Sequence, residues 1–278
     1  MKNDDLAAKM KKLLWILFLC WTLPHATLVQ VQAQSVVENE LQASLQTSQA
    51  STIFTEESVL NFTLSVNLKE LLKDRGEERS YHQANITYKT PEGKTETVPL
   101  KVRVRGRHRR DPSVCRFPPL LLNFPKKAVA NTTFAGTDKI KLVTHCIGDD
   151  YVLREYLVYK LYNIVSGHSF RVRLCYINYE DTEGRKDIGG SYAFLIEEEE
   201  RLAERSKASI VDDAVLIRMD ATDEQSMARL ALFQFMIGNT DWSVPYRHNI
   251  VVLFIQHAAT LMPVPYDFDY NGIVMPPY

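Results

Sequence analysis

The chain has 278 residues, of which 45% are hydrophobic and 24% are charged, and its formal net charge is −1. This composition fits one or two globular domains and excludes a disordered chain or a bundle of membrane helices. The near-neutral charge also argues against nucleic acid as a bulk partner.

The N-terminus has the pattern of a secretory signal. Basic residues precede an apolar run over residues 13–23, and small residues at Val31 and Ala33 suit a cleavage site. We therefore expect residues 1–33 to be a signal peptide, and the mature protein to be secreted or periplasmic in the cell envelope. The apolar run is shorter than a transmembrane helix requires, so we expect no stable membrane span after signal cleavage.

Three cysteines follow the predicted signal: Cys115, Cys146 and Cys175. An odd count allows at most one disulfide within the chain, and the spacing does not identify the pair. Buried free thiols are the alternative.

The first part of the chain reads as a linker followed by strands. Residues 34–55 are rich in Gln, Ser, Ala and Thr, which predicts a flexible linker, with folded structure starting near Glu56. Helical spacing predicts a short turn over 68–73 and a helix over 151–165. Alternating apolar residues predict strands over 60–66, 84–89, 96–105, 139–143, 170–179 and 191–196.

The second part of the chain has more helical signals. A short helix is predicted over 201–207, and the sequence from Thr222 to Gln225 resembles a capping box that opens a buried helix ending at Gly238. A hairpin is predicted from 249–255 and 261–266. Together the patterns predict an α+β, two-lobed fold with a cleft between the lobes.

The predicted lobes have defined boundaries. Residues 56–197 are assigned to the strand-rich N-lobe, and 198–278 to the start of a helical C-lobe. More helices would normally follow a site of this kind, so we expect the chain to be a truncated fragment.

Two aspartates near the C-terminus are candidate metal ligands. On an extended strand, Asp267 and Asp269 point to the same face, and two such carboxylates repel each other unless a cation or proton lies between them. Mg²⁺ prefers such hard oxygen ligands. The alternative is a solvated turn.

Asp241 and Asn249 extend the candidate site. Asp241 follows the end of the predicted buried helix and can accept or orient the proton of a substrate hydroxyl, and Asn249 offers a neutral oxygen to a metal ion. Local capping of the backbone is the alternative for either residue.

Basic residues upstream suit phosphate. Arg105 shares a strand face with other basic residues and can bind phosphate oxygens bidentately, whereas a solvated sheet face is the alternative. Lys141 can face the cleft, although Lys139 on the same face competes for that role. Glu155 can pair with the phosphate-binding lysine, and a solvated helix face is its alternative.

The order of these motifs resembles the spore-coat protein H (CotH) kinase family, which is related to protein kinases and to Fam20-like atypical secreted kinases. The resemblance covers residues 98–278 and rests on Gly238-Asn239-x-Asp241, Asn249 and Asp267-Phe268-Asp269, preceded by Arg105-Gly106, Lys141-Leu142, Arg154-Glu155 and Gly190-Ser191-Tyr192.

The resemblance implies a kinase-like fold that uses ATP and divalent metal, Mg²⁺ or Mn²⁺. By position, Asp241 resembles the catalytic acid, Asn249 and Asp267 resemble metal ligands, and Asp269 is a candidate second ligand. The implied reaction transfers the γ-phosphoryl group to a hydroxyl on a protein, peptide or small molecule, with an extracellular or envelope protein as one candidate acceptor.

Several features depart from protein kinases. The sequence has no glycine-rich phosphate loop and no His-Arg-Asp triplet, and the loop from Asp241 to Asn249 is longer than usual. An inactive pseudokinase that serves as a binding module is therefore the main alternative, and a metal-dependent hydrolase is a third.

Overall fold

The computed structural model describes residues 52–277. The predicted signal peptide and most of the predicted linker lie outside the described residues. The described residues form one compact unit. Ile53 and Phe54, at the end of the predicted linker, are buried in its core.

Seven strands close into a barrel in the order β1-β2-β3-β4-β5-β7-β6. Neighbouring strands are antiparallel except β1 and β6, whose parallel pairing closes the barrel. The strands are β1 (Leu60–Val66), β2 (His82–Lys89), β3 (Thr95–Val104), β4 (Leu120–Asn123), β5 (Lys139–Val143), β6 (Val172–Asp181) and β7 (Asp187–Ile196).

The barrel forms because apolar residues alternate along its strands. In β1, Leu60, Phe62, Leu64 and Val66 are buried while the residues between them are not, so one face of the strand points into the core. This alternation confirms the predicted strands, including the hairpin of β2 and β3.

A second layer packs against the barrel. It contains a three-stranded antiparallel sheet in the order β10-β9-β8 and most of the helical residues. Its strands are β8 (Ala208–Ile210), β9 (Ile250–Ile255) and β10 (Thr260–Pro265), and the α-helices of the whole chain are α1 (Leu68–Lys73), α2 (Lys126–Val129), α3 (Asp149–Val165), α4 (Glu199–Arg205) and α5 (Glu224–Met236). Within the described residues, no helix has the length and apolar character needed to cross a membrane.

The predicted two-lobed kinase-like fold is wrong. Among the described residues, strand exceeds helix, 32% against 26%, and their first part is a closed seven-stranded mixed barrel. The region from residue 198 contains two α-helices and three strands among its described residues, rather than a helical lobe. Strand alternation reveals which residues point inward, but it does not reveal that β1 pairs with β6 to close the sheet.

The two long helices lie where predicted but bury other faces. In α3 the expected apolar stripe is exposed at Leu157, Leu161 and Ile164, and the buried face includes Tyr159 and Tyr162. The predicted burial of α5 is wrong on one side, because its Leu232, Phe235 and Met236 are exposed. The cap of α5 is Asp223, whose carboxylate accepts from the Ser226 N–H.

A disulfide joins Cys115 to Cys146, and Cys175 is a buried free thiol. The disulfide links the segment between β3 and β4 to the loop that leads into α3. The segment between β3 and β4 contributes to the site described next.

Candidate functional site

Two loops from the second half of the chain meet beside the barrel. One follows α5 and carries Asp241, and the other follows β10 and carries Asp267 and Asp269. They contact where the Gly272 N–H donates to the Ile237 carbonyl at 2.9 Å. A Cβ at Gly272 would lie 3.2 Å from that oxygen, so a larger residue would push the loops apart.

The two loops and the segment after β3 enclose a cavity of about 700 Å³. Its basic wall is formed by Arg105, Arg107, His108 and Arg109, and its acidic wall by Asp241, His248, Asn249, Asp267 and Asp269. Of the predicted site residues, Arg105, Asp241, Asn249, Asp267 and Asp269 therefore line one cavity.

Arg109 joins the two walls through three ion pairs. Its guanidinium is 3.1 Å from Glu155 Oε2 on α3, 3.1 Å from Asp267 Oδ1 and 3.2 Å from Asp269 Oδ2. Only 9% of the Arg109 side chain is exposed. The cation that separates the paired aspartates within the protein is therefore an arginine.

Burial perturbs the acids around Arg109. Loss of solvation raises the pKa of Glu155 to about 8 even though Arg109 opposes the shift, and Asp269 and Asp267 raise it further. Burial also raises the pKa of Asp269 to about 6, with Asp267 and Asp241 adding to the rise. Desolvation and the neighbouring carboxylates therefore both favour the protonated form of these two acids.

Arg105 is buried enough that desolvation lowers the pKa of its guanidinium, while the charge of Asp267 acts in the opposite direction. Its backbone N–H donates to the Pro119 carbonyl at 2.8 Å, which fixes the end of β3 beside β4. Arg105 therefore presents a cation on the basic wall from a rigid strand end.

Lys141 does not line this cavity. Its ammonium pairs with Glu199 at 2.7 Å and lies 5.4 Å above the centre of the Tyr266 ring. Glu155 pairs with Arg109 rather than with a lysine. Lys139 is exposed on the same strand as Lys141 and lines the same separate cleft.

Asp241 is held on both carboxylate oxygens. His248 Nε2 donates to Oδ1 at 2.7 Å, and Asn249 Nδ2 donates to Oδ2 at 3.1 Å and to the Asp241 carbonyl at 2.8 Å. Within the described residues Asn249 Oδ1 accepts no hydrogen bond. Asn249 can therefore anchor Asp241 while it still offers an oxygen to the cavity.

The segment bearing the paired aspartates is fixed by aromatic packing. Phe268 is fully buried, with its ring centre 4.8 Å from that of Tyr159 and 5.9 Å from that of Phe233. Asp267 adopts a left-handed backbone, with φ of 57°, and its N–H donates to the Tyr159 hydroxyl at 2.8 Å. Non-glycine residues in this conformation concentrate at functional sites.

Sequence reasoning missed three contributors: Arg109, His248 and Tyr159. Arg109 belongs to a run of basic residues that looked like exposed charge, and only the fold shows that it is buried. His248 belongs to no recognisable motif in the sequence, and its contact with Asp241 depends on how the intervening loop folds back. Tyr159 lies four residues after Glu155, so both face the site from one side of α3.

The chemistry of the donor set fits a divalent cation. Among residues 52–277, no three His, Cys, Asp or Glu side chains form a ready-made metal centre. Mg²⁺, however, often takes only one or two carboxylates and completes its shell with water and phosphate oxygens. Asp267, Asp269 and Asn249 Oδ1 offer hard oxygens of this type around one cavity.

A larger cleft of about 890 Å³ lies elsewhere, along β1 and β2. Three of its charged residues are paired: Arg173 contacts Glu56 at 3.0 Å, and Glu57 contacts Lys160 at 2.7 Å. It contains none of the predicted site residues, so the smaller cavity is the better candidate for chemistry.

No protein-family model matches the chain. A comparison with curated proteins finds no significant match either. The resemblance to the CotH kinase family therefore stays a hypothesis that rests on the motifs.

Proposed function

We propose that this chain is a phosphotransferase that moves the γ-phosphoryl group of ATP to a hydroxyl acceptor with the help of Mg²⁺ or Mn²⁺. The carrying observation is the single cavity in which a basic wall faces an acidic wall. A nucleotide–metal complex presents both kinds of charge, since its phosphates are anionic and its ion is cationic. Many folds can host such chemistry, so the barrel architecture is compatible with it.

Each wall has a distinct role in this reaction. Arg105 and Arg107 bind phosphate oxygens, and Arg109 holds the carboxylates of the opposite wall in place. Asp267, Asp269 and Asn249 Oδ1 would hold the metal, which when bound neutralises charge on the transferred group. Asp241 accepts a hydrogen bond from the acceptor hydroxyl and orients its oxygen toward the phosphorus.

A non-catalytic binding module is the second candidate, in the sense of a pseudokinase-like protein of the envelope. It is favoured by the three ion pairs of Arg109, which already occupy oxygens of Glu155, Asp267 and Asp269. It is also favoured by the engagement of Lys141 outside the cavity. This candidate predicts ligand binding without phosphate transfer.

The deciding experiment measures ATP consumption and autophosphorylation by the full chain, with Mg²⁺ or Mn²⁺ and with a chelator. We expect metal-dependent transfer that Asp267→Asn abolishes. Asp150→Asn, at an exposed position in the first turn of α3, is the matched control and should keep full activity. Nucleotide binding without transfer would favour the binding module, and unchanged transfer in Asp267→Asn would contradict the metal role.

We propose further that the protein acts outside the cytoplasm, as the signal-like N-terminus suggests. Expression of the full chain followed by N-terminal sequencing tests this. We expect the mature chain to begin at Gln34 and to appear in the periplasmic or secreted fraction. A product that retains residues 1–33 in the cytoplasm would contradict it.

A further inference from the structure

We infer that His248 is a positioning residue that fixes the Asp241 carboxylate toward the acceptor, an inference that rests on the proposed phosphotransfer. His248 lines the cavity, and its Nε2 is 2.7 Å from Asp241 Oδ1. An ionised carboxylate can only accept hydrogen bonds, so Nε2 carries the proton and donates it.

The contact matters because, among the described residues, the Asp241 carboxylate has one other side-chain anchor, Asn249. Its side chain is 42% exposed, and a carboxylate at such a position can rotate into water. His248 anchors Oδ1 while Asn249 anchors Oδ2, so the two bonds together determine the side-chain orientation. Each oxygen keeps a further lone pair with which to accept the acceptor hydroxyl.

The backbone conformation of the loop from Asp241 to Asn249 brings His248 to Asp241. His248 and Ser243 exchange two backbone hydrogen bonds, at 3.0 and 2.9 Å, which fold the loop back on itself. The residues on either side of His248 are both left-handed, Arg247 with φ of 50° and Asn249 with φ of 53°. Such conformations persist where the surroundings determine them and concentrate at functional sites.

Positioning of Asp241 then controls one step of the transfer. The acceptor oxygen forms a bond to the γ-phosphorus of ATP as the bond from that phosphorus to the bridging oxygen breaks. The electron pair of the broken bond leaves with ADP, and the hydroxyl proton passes to Asp241. A misplacement of about 1 Å at a group of this kind can cost about 10²-fold in rate.

Two variants separate positioning from other roles. In His248→Gln the side-chain amide nitrogen can reach the place of Nε2 and donate the same bond, whereas His248→Phe keeps the ring shape without a donor. With ATP and Mg²⁺, and with water and dephosphorylated casein as acceptors, we expect His248→Gln to stay within about threefold of wild-type kcat. His248→Phe should lose about 30-fold or more, with KM for ATP unchanged in both.

A crystal structure of each variant gives a second readout, because Asp241 should keep its orientation in His248→Gln and rotate in His248→Phe. Equal kcat in His248→Phe and wild type would overturn the inference, as would equal loss in both variants. If wild type transfers no phosphate, the proposed function fails, and an unmoved Asp241 in His248→Phe then overturns the positioning inference on its own.

Discussion

Replacement of Arg109 by methionine tests the charge arrangement of the candidate site. The guanidinium is the partner of three carboxylates, those of Glu155, Asp267 and Asp269, at 3.1 to 3.2 Å. Methionine fills a similar volume without charge, so the variant removes the cation and leaves the acids together. Removal of one partner from a buried ion pair costs about 3–5 kcal/mol.

The cost should depend on pH in a defined direction. Without Arg109, the folded state can neutralise its acids only by protonation, which is easy near pH 6 because burial already raises the pKa of Asp269 to about 6 and that of Glu155 to about 8. In the unfolded chain these acids are ionised at both pH values. We therefore expect a loss of about 3–5 kcal/mol at pH 9 and a smaller loss at pH 6.

The assay is urea unfolding followed by circular dichroism, with Lys141→Met as the control. Lys141 and Glu199 form an ion pair whose side chains are 26% and 33% exposed, and such pairs contribute about 0–1 kcal/mol. Added Mg²⁺ should stabilise Arg109→Met more than wild type, because the ion replaces the missing positive charge. Refutation would be a loss below about 1 kcal/mol at pH 9, or equal losses in the two variants.

Three further outcomes are expected. Glu155→Gln should flatten the pH dependence of stability, because the wild-type acid binds its proton more tightly in the folded state, where its pKa rises from 4.5 to about 8. The unfolding free energy of wild type should therefore fall by at most about 5 kcal/mol as pH rises through that window. Urea titrations in which the unfolding free energies of variant and wild type change equally with pH would contradict this. Phe268→Ala should lower the unfolding free energy by about 3–5 kcal/mol, because it empties a fully buried ring position; a loss comparable to that of an exposed residue such as Tyr246→Ala would argue against the packing described. Replacement of Cys115 and Cys146 by serine should cost about 3–4 kcal/mol in chemical denaturation, since the bridge closes a sequence separation of 31; equal stability in oxidised wild type and variant would count against it.

Local patterns in the sequence were enough to find most of the strands. Alternation identified β1, β2 and β3 because each has one buried and one exposed face. The short strands β4 and β8 gave no such signal, since three or four residues cannot show a period. Local patterns also do not predict the closure of the barrel, because pairing between β1 and β6 joins segments about a hundred residues apart.

Helix burial was harder to predict than helix position. Both α3 and α5 carry apolar residues on more than one side, so periodicity alone could not choose the face that packs. The buried face of α3 contains Tyr159 and Tyr162, whose rings pack around Phe268, rather than the leucines. Aromatic contacts with the loop after β10 therefore determine which face of α3 is buried.

The candidate site was predictable in its acids and in Arg105, but not in Arg109, the arginine that pairs with the acids. Asp241, Asp267 and Asp269 stand out because each follows an apolar element and a glycine or turn signal nearby. The choice between Arg109 and Lys141 required knowledge of which basic residue the fold buries. Spacing along the chain carries little information about that, since exposed and buried arginines look alike in a sequence.

The parallel seam between the first and sixth strands has a consequence for biosynthesis. Val66 pairs with Asp181 at the end of this seam, so a nascent chain must be synthesised well past residue 181 before the sheet can become a ring. Until then, one flank of the earliest strand has unsatisfied amide and carbonyl groups, which are a template for pairing with other chains. Delayed or interrupted translation in that interval should therefore favour aggregation, and a holdase chaperone should suppress it.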